Sequence, residues 1–390
     1  MSIGEGYGSR LGQTVPMRIV LVVPGGVDPP GSDRVIPFIH CLVADLSARH
    51  DVLVIAVGHD PDSGTWPLFD ATVVNVPVGR HSKADIARVV RSVSRLAGQG
   101  ARPEVIHGLW ANMPGFAASI AARRHRCPSV VSVCGGEFAS LPDIGYGGGL
   151  RRGTLLMARA ATRSATAVTV ATAWMASHVG NRGGRVDEII PLGADTSIFH
   201  TTTAAPAADN RLVHVGNINR VKDQALLLHA FRLVLDVCAD ATLDIAGLDT
   251  LGGEMQNLAA TLQIEGRVRF HGYLLPPQLA SMLNGAALHV LSSRHDAGPV
   301  AVLEAASCGV PTIGTAVGHV ADFAAMSQPA AAAVDSHQPA TLASGITALL
   351  ADEPRCADVA RRAHDWAVAH DSLHTTRSFE SLYRRLIANR

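Results

Sequence analysis

The sequence predicts an α/β protein built of two doubly wound, Rossmann-like domains that face each other across a cleft. Short β-branched runs alternate with longer amphipathic or alanine-rich segments, the pattern of parallel strands covered by helices. The length of 390 residues, 47% of them hydrophobic, exceeds what one core normally supports. A polar stretch at His200–Asn210 separates two sets of such strands. Two α/β cores joined by one linker are therefore expected.

The first set contains its candidate strands at Arg18–Val23, Val52–Val57, Thr72–Val76, Val105–His107, Ser129–Val133, Ala167–Val170 and Glu188–Pro191. The second set, after the linker, contains candidates at Leu212–Val215, Thr242–Ala246, Val268–His271, Leu288–Leu291, Thr312–Ile313 and Ala332–Val334. Helices are expected between the strands of both sets. Ligands of open α/β sheets bind outside the carboxyl ends of the strands, so function should be sought in the cleft.

The two ends of the chain have different characters. Residues 1–16 are predicted to form a flexible tail. The segment Asp371–Leu386 is predicted to form an amphipathic helix. Its apolar side carries Leu373, Phe379, Leu382 and Tyr383.

Composition excludes several classes of function. Lys plus Arg equals Asp plus Glu at 33 each, which gives no electrostatic case for nucleic acid as a partner. The six cysteines form no CxxC pair and no zinc spacing with histidine, so a reduced, cytoplasmic protein without a metal is expected. No stretch resembles a signal peptide or approaches the length of a membrane span.

The most informative segment is Asp296–Pro311, which holds two carboxylates with seven residues between them. Pro299 suits a first helical position, Gly309 suits the left-handed residue after the last turn, and Pro311 prevents continuation. A short helix is therefore predicted, with its N-terminal N–H groups facing a phosphate or polyhydroxyl ligand. Glu304 is costly to bury and needs a partner there. From the residues alone, Asp296 could equally cap the helix while Glu304 pairs with a neighbouring cation.

A second pattern starts the second domain, at His214–Gln224. A strand, a glycine, two cations and a helix follow one another, an order typical of phosphate binding. Lys222 can supply a point charge and Arg220 a bidentate fork, while Gly216 lets the backbone approach closely. Two solvated loop cations are the alternative interpretation.

The turn after the first strand, Pro24–Arg34, is also rich in glycine. Gly25 and Gly26 allow close approach of the backbone to a ligand, although the dinucleotide fingerprint GxGxxG is absent. This pattern alone is common in α/β proteins.

These motifs together resemble the retaining GT-B glycosyltransferases of the group-1 or family-4 type. Asp296 and Glu304 match the acid-x7-acid signature, with Asp where the family usually has Glu. Lys222 matches the lysine of the family's diphosphate loop, whereas Asn217 stands in the arginine position and Arg220 is a candidate replacement. The resemblance covers nearly the whole chain from Met17 and is clearest over residues 211–323.

The resemblance also implies the domain limits. The segment Ile189–Phe199 resembles the family's hinge, which gives an N-terminal acceptor domain at residues 17–192 and a nucleotide-sugar domain at 193–370. The helix at 371–390 resembles the terminal helix that returns to the first domain.

Acceptor-side candidates follow from the same resemblance. His107 and Trp110 resemble a segment near the acceptor site, although a core histidine and a packing tryptophan are ordinary interpretations of each. Cys134 stands where many relatives have a histidine that contacts the transferred sugar, so Gly135, Gly136 and Glu137 become candidates. A nucleophilic role for Cys134 is not expected, because a cysteine after an apolar strand is usually inert.

The implied function is transfer of a hexose from a nucleotide-diphosphate sugar, most simply a UDP- or GDP-sugar, to an acceptor hydroxyl with retention. Glu304 would hold the ribose, and Lys222 with Arg220 would neutralise the leaving diphosphate. Asp296 would orient the hexose. The further donor-binding candidates are Ala297, Gly298 and Val300, besides the glycines and Asn217 above. No cofactor and no metal are implied, and attack is expected on the same face of the sugar that the phosphate leaves.

Partners and rival functions complete the expectations. The acceptor would be a carbohydrate, a lipid-linked molecule or a small molecule, with no nucleic acid. An arginine cluster at residues 123–126 is either a solvated face or a weak peripheral contact with the inner face of a membrane. The rivals are an epimerase or hydrolase using His107 and Glu137 as bases, a catalytically silent sugar-nucleotide-binding module, and, more distantly, a nicotinamide dehydrogenase.

Overall fold

A computed structural model describes residues 15–79, 83–202 and 210–390 of the chain. Most of the predicted tail and the centre of the predicted linker, residues 1–14 and 203–209, lie outside these ranges. Within the described residues the strands form two sheets, one of eight strands and one of six. This arrangement confirms the predicted doubly wound α/β class.

The first sheet has the strand order β3-β4-β2-β1-β5-β6-β7-β8. Its strands are β1 Arg18–Val23, β2 Asp51–Val57, β3 Gly64–Leu68, β4 Ala71–Val76, β5 Val105–Leu109, β6 Ser129–Val133, β7 Ala167–Val170 and β8 Glu188–Ile189. The helices between them are α1 Pro37–Ser47, α2 Lys83–Ala97, α3 Met113–His125, α4 Arg152–Ser164 and α5 Ala173–Asn181. Residues of β1 from Ile19 to Val23 are fully buried, as expected of a strand covered on both faces.

The second sheet is parallel throughout and has the order β11-β10-β9-β12-β13-β14. Its strands are β9 Arg211–Val215, β10 Thr242–Ala246, β11 Val268–Gly272, β12 Leu288–Leu291, β13 Thr312–Thr315 and β14 Ala332–Val334. Helices α6 Gln224–Val234, α7 Glu254–Thr261, α8 Pro276–Asn284, α9 Val300–Ser307, α10 Gly318–Ala324, α11 Pro339–Ala351, α12 Glu353–Ala369 and α13 Ser372–Ala388 follow in chain order.

Every predicted strand is present, and most bounds differ by no more than two residues. The sequence patterns missed β3, which pairs antiparallel with β4 at the edge of the first sheet. In its sequence, GTWPL, half-buried residues alternate with exposed ones, and only Leu68 is buried. The strand also contains Pro67, and proline in a strand is tolerated mainly at sheet edges. The expectation of purely parallel sheets was therefore wrong at this edge.

The last helix, α13, lies against α1. Glu380 accepts a hydrogen bond from Arg49 at 2.9 Å and is paired with His50 at 2.5 Å. Tyr383 is fully buried in the core of the first sheet. The helix thus packs on the α/β unit of the first sheet. The domain limits at residues 192 and 370 remain a prediction.

Each sheet reverses its strand order once, between β1 and β5 in the first and between β9 and β12 in the second. Such a reversal opens a crevice at the carboxyl ends of the two strands, because the chain leaves them in opposite directions. The loops after β9 and β12 carry Lys222 and Asp296. The fold therefore brings the two strongest sequence motifs to one crevice.

Candidate active site

An ion pair joins the loops after β9 and β12. Lys222 Nζ lies 2.5 Å from Asp296 Oδ2, and the two side chains are only 20% and 16% exposed. Ser292 donates to the carbonyl of Lys222 at 2.8 Å, and Asn219 accepts from its N–H at 3.0 Å. A Cβ at Gly216 would lie 3.2 Å from Lys222 Cε, so the glycine leaves room for the lysine side chain. The cation is thus held at the crevice by both loops.

The signature helix α9 begins at Val300, and Pro299 is its N-cap. The prediction of Pro299 as a first helical residue was wrong by one position, since its ψ of 106° is extended. Gly309 has a φ of +75°, as predicted for the residue after the last turn.

Glu304 is the unusual group of the site. Its side chain belongs to a residue only 6% exposed, and no hydrogen bond or ion pair reaches its carboxylate from the described residues. Burial raises its pKa to about 7. The alternative interpretation, in which Glu304 pairs with a neighbouring cation, therefore finds no such partner in the described part of the chain, and the carboxylate is left available to a ligand.

Glu304 lines a cavity of about 320 Å³ between elements of the two sheets. Its lining is mainly apolar and aromatic, which suits a small-molecule site with few polar anchors. The residues that line it include Phe38, His40, Cys41 and Phe69 from the first part of the chain, and Ile198, Tyr273, Leu275 and Val300 from the second.

Arg220 and Asn217 are engaged away from the ion pair. The Arg220 guanidinium donates to both carboxylate oxygens of Glu254, at 2.9 and 2.8 Å, and is more than half exposed. Asn217 accepts from the N–H of Leu248 and so holds the neighbouring turn. In this conformation Lys222 carries the positive charge nearest Asp296.

The two residues after Asp296 contact the first domain closely. Ala297 is 3% exposed, and its carbonyl accepts a hydrogen bond from Thr172 at 2.8 Å. A Cβ at Gly298 would lie 2.5 Å from the methyl of Ala171. Their backbone therefore fixes the distance between the two layers at the crevice.

His107 does not reach the crevice. It is fully buried, and its ring nitrogens hydrogen-bond to Tyr383 at 2.6 Å and to Ser132 at 2.7 Å. Burial lowers its pKa to about 3. His107 is thus a core histidine whose two ring nitrogens both have hydrogen-bond partners. It does not face a ligand, because Tyr383 of α13 covers it.

Trp110 and Cys134 are the residues that directly follow strands β5 and β6. Trp110 has a left-handed φ of +68°, and its ring packs 5.8 Å from that of Phe38. A Cβ at Gly135 would lie 2.7 Å from Trp110 Nε1, which explains the glycine. Burial raises the pKa of the Cys134 thiol, consistent with the expected inert cysteine.

Glu137 is tied to the backbone. Its carboxylate accepts from the N–H groups of Ala111 at 2.9 Å, Gly135 at 2.8 Å and Cys134 at 3.3 Å. It is 4% exposed, and burial raises its pKa despite these donors. The side chain thus orders the loops after β5 and β6 and is not free to act as a base.

Gly25 and Gly26 both have left-handed φ values, +133° and +71°. A Cβ at Gly25 would meet His59, and one at Gly26 would meet Ile36. The predicted glycine turn is therefore present, and its close approach is to the protein's own side chains.

A cluster near Asp296 was missed by the sequence patterns. His295 packs against Tyr146, Trp174 and His178, with ring centroids 5.2 to 5.8 Å apart. Neither ring nitrogen of His295 has a hydrogen-bond partner among the described residues. Burial, followed by the nearby Asp296 and Glu137, raises the pKa of Tyr146. The only sequence signal was the position of His295 next to Asp296.

The described part of the chain contains no group of three or more His, Cys, Asp or Glu side chains placed to hold a metal ion. None of its helices is both long and apolar enough to cross a membrane.

Two family models match the chain in succession. Residues 35–193 match a model described as a glycosyl transferase 4-like domain, and residues 196–366 match one described as glycosyl transferases group 1. Together they cover every strand of the two sheets except β1, which precedes residue 35.

Curated relatives are similar over part of the chain. D-inositol 3-phosphate glycosyltransferase of Arthrobacter sp. (strain FB24) is 26% identical over 223 residues, which are 54% of this chain and 52% of that protein. N-acetyl-alpha-D-glucosaminyl L-malate synthase of Bacillus anthracis is 30% identical over 136 residues, 35% of each chain. The chain spans about half the length of the first curated relatives that it matches.

Solved structures share the whole architecture at low identity. Sucrose-phosphate synthase from Thermosynechococcus elongatus superposes with a TM-score of 0.77 at 17% identity, over 96% of this chain and all of that one. Anabaena Alr3699/HepE in complex with UDP-glucose gives 0.73 at 17% identity, over 95% of this chain and all of that one. Since both family models match in order and the architecture is shared, the chain belongs to the group-1 glycosyltransferase family and has the GT-B fold.

Proposed function

We propose that the protein transfers a hexose from a nucleotide-diphosphate sugar to an acceptor hydroxyl, with retention at the anomeric carbon. The observation that carries the proposal is the buried Glu304 carboxylate, which has no partner in the described residues and lines the cavity. A carboxylate of this kind can accept hydrogen bonds from two neighbouring hydroxyls, such as those of a ribose. Those donors would favour its charged form and offset the cost of its burial.

When the donor binds, its diphosphate would replace Asp296 as the ion-pair partner of Lys222. In the free protein the ammonium is neutralised by that carboxylate at 2.5 Å. A diphosphate carries more charge and more acceptor oxygens than one carboxylate, so it competes well for the same cation. Lys222 would then stabilise the negative charge that develops on the leaving group, the main catalytic contribution expected here. Asp296, once released, would accept hydrogen bonds from the hexose.

We infer that retention proceeds by attack on the face from which the phosphate leaves. The bond from the anomeric carbon to the diphosphate oxygen breaks, the bond to the acceptor oxygen forms, and the acceptor proton passes to the leaving phosphate. Support comes from the state of the candidate nucleophiles and bases. His107 is buried with both nitrogens bonded, the Cys134 thiol has a raised pKa, and Glu137 accepts three N–H groups.

We propose a UDP-sugar as the first donor to test. Solved structures of the same fold include Anabaena Alr3699/HepE with UDP and glucose and with UDP-glucose. Starch synthase IV of Arabidopsis thaliana, at 12% identity, was solved with ADP and acarbose, so ADP-sugars belong in the test. The relatives named for D-inositol 3-phosphate support a small hydroxylated acceptor, beside carbohydrate and lipid-linked ones.

The test begins with thermal-shift binding of UDP-, GDP- and ADP-sugars to the wild type and to Glu304→Ala and Lys222→Ala. The matched control is Arg361→Ala, whose guanidinium pairs with Asp358 on the exposed side of α12. Stabilisation by one base that is lost in both site variants but kept in the control is the expected result. No stabilisation by any donor would contradict the proposal.

Product analysis separates the proposed transfer from its rivals. Nuclear magnetic resonance of the anomeric proton of the product reports retention directly. Donor that is bound but never consumed would indicate a silent binding module. Donor that is hydrolysed or epimerised at the same rate with and without acceptors would indicate the other rivals.

A further inference from the structure

A strained aromatic residue stands at the tip of the hairpin formed by β3 and β4. Leu68 pairs with Ala71, which leaves Phe69 and Asp70 as the two turn residues. Phe69 has a φ of +53°, and its side chain belongs to a residue that is 45% exposed. Glycine or asparagine normally occupies such a turn, because a bulky side chain is disfavoured at positive φ. Neither the backbone nor burial explains a phenylalanine here.

The ring of Phe69 is directed to the cavity that contains Glu304. Both residues line it, together with Tyr273 and Leu275 from the loop after β11. His40 holds the ring by an edge contact, with centroids 5.7 Å apart and planes at 86°. The cavity thus joins an aromatic surface from the first sheet's layer to a buried carboxylate from the second.

The chemistry of this lining fits one kind of ligand. A flat aromatic group would be covered by Phe69 and the side chains of Tyr273 and Leu275, while a hydroxylated group would bond to Glu304. A nucleoside has both parts joined directly. Stacking on an aromatic side chain contributes to binding whichever base is present, because every base has a π-face.

We propose that Phe69 covers the base of the donor nucleotide and so completes the nucleoside site from the first domain. The inference rests on the proposed function, since it places the ribose at Glu304. It adds a binding residue on the β3–β4 hairpin, outside the signature helix and the diphosphate loop. Strain at the turn is then tolerated because the ring contributes to binding.

The test uses Phe69→Gly, which removes the ring and also relieves the left-handed backbone. Relief of the left-handed strain offsets the loss of the ring's contact with His40, so this variant should remain folded. UDP should bind on the order of tenfold more weakly, as for loss of one stacked base. Inorganic pyrophosphate, which has no base, should bind equally to both proteins. The donor KM should rise while kcat changes little.

Gln263→Gly is the matched control, because Gln263 is exposed, has a φ of +57° and lies on the turn before β11. It relieves the same kind of backbone strain without touching the cavity, so UDP binding should be unchanged. A control that weakened UDP binding as much as Phe69→Gly would overturn the inference.

Three results for the site variants are distinguishable. Loss of UDP affinity in Phe69→Gly with pyrophosphate binding intact supports the inference. Unchanged UDP affinity in Phe69→Gly, alongside its loss in Glu304→Gln and Lys222→Ala, overturns the inference and leaves the proposed function standing. Absence of UDP binding by the wild type, repeated with GDP and ADP, overturns both.

Discussion

Replacement of Glu304 by glutamine gives the sharpest prediction for the free protein. The carboxylate is 6% exposed, lacks a partner in the described residues, and has its pKa raised by burial to about 7 from an ordinary value of 4.5. Glutamine has nearly the same shape and no charge. The change therefore removes the ionisation and leaves the packing of α9 in place.

The size and sign of the effect follow from proton linkage. Because the folded pKa lies above the unfolded value, the folded protein binds more protons between about pH 4.5 and pH 7. Stability is therefore lost as the pH rises through this window, and the loss is complete above the folded pKa. A rise from 4.5 to about 7 corresponds to about 3 kcal/mol, at about 1.4 kcal/mol per pH unit.

This free energy converts to a measurable change in melting temperature. A chain of 390 residues has an unfolding entropy of about 0.8 kcal/mol/K, so about 3 kcal/mol shifts Tm by about 4 °C. Part of this loss already occurs below pH 5, so the Tm of Glu304→Gln minus that of the wild type should grow by about 3 °C between pH 5 and pH 8. Saturating UDP should raise the Tm of the wild type more than that of Glu304→Gln.

The assay is thermal unfolding of both proteins at half-unit steps of pH, without nucleotide. Glu265→Gln is the control, since Glu265 is an exposed carboxylate on the loop before β11. Its curve should run parallel to that of the wild type. A constant difference between Glu304→Gln and the wild type from pH 5 to pH 8 would refute the reasoning.

Three further predictions concern the surroundings of the site. Asp296→Asn removes the carboxylate that pairs with Lys222, so UDP should bind roughly fivefold more tightly by calorimetry, on the scale of a partly exposed ion pair, while kcat falls. Tyr383→Phe leaves Nδ1 of buried His107 without its partner, so the free energy of unfolding should drop by about 1–3 kcal/mol with donor KM unchanged. The thiol of Cys134, whose pKa is raised by burial, should react slowly with iodoacetamide at pH 8 in the folded protein and quickly after unfolding, as followed by mass spectrometry.

Each of these has a contrary outcome. Weaker UDP binding by Asp296→Asn would mean that the aspartate contributes to nucleotide binding and does not compete with the diphosphate for Lys222. A raised donor KM in Tyr383→Phe would show that His107 acts in the site after all. Fast alkylation of folded Cys134 would show that its buried surroundings open in solution.

The sequence predicted most of the fold because buried parallel strands have a strong signal. Runs such as Arg18–Val23 and Ser129–Val133 are rich in β-branched residues, and their bounds agree with the structure. β3 was not predicted, because an edge strand can contain exposed residues and a proline and so lacks the usual hydrophobic signal. The start of α9 was off by one residue, since a proline suits both the N-cap and the first turn.

The candidate site was predicted in part. Lys222 and Asp296 follow different strands, and the parallel order of the second sheet brings them together as an ion pair. His107 was an acceptor-side candidate with a core histidine as the ordinary interpretation, and only the structure shows that its partners are Ser132 and Tyr383. Local spacing carries no information about such contacts.

The sequence by itself determined the alternation of strands and helices, the two-core organisation, and the residue types able to bind a nucleotide sugar. These properties depend on local propensity, hydrophobic periodicity and length. Only the tertiary structure decided that Glu304 is buried without a partner in the described residues, that Glu254 engages Arg220, and that Phe69 reaches the Glu304 cavity. Burial and pairing depend on which surfaces meet, and those surfaces are separated by up to hundreds of residues along the chain.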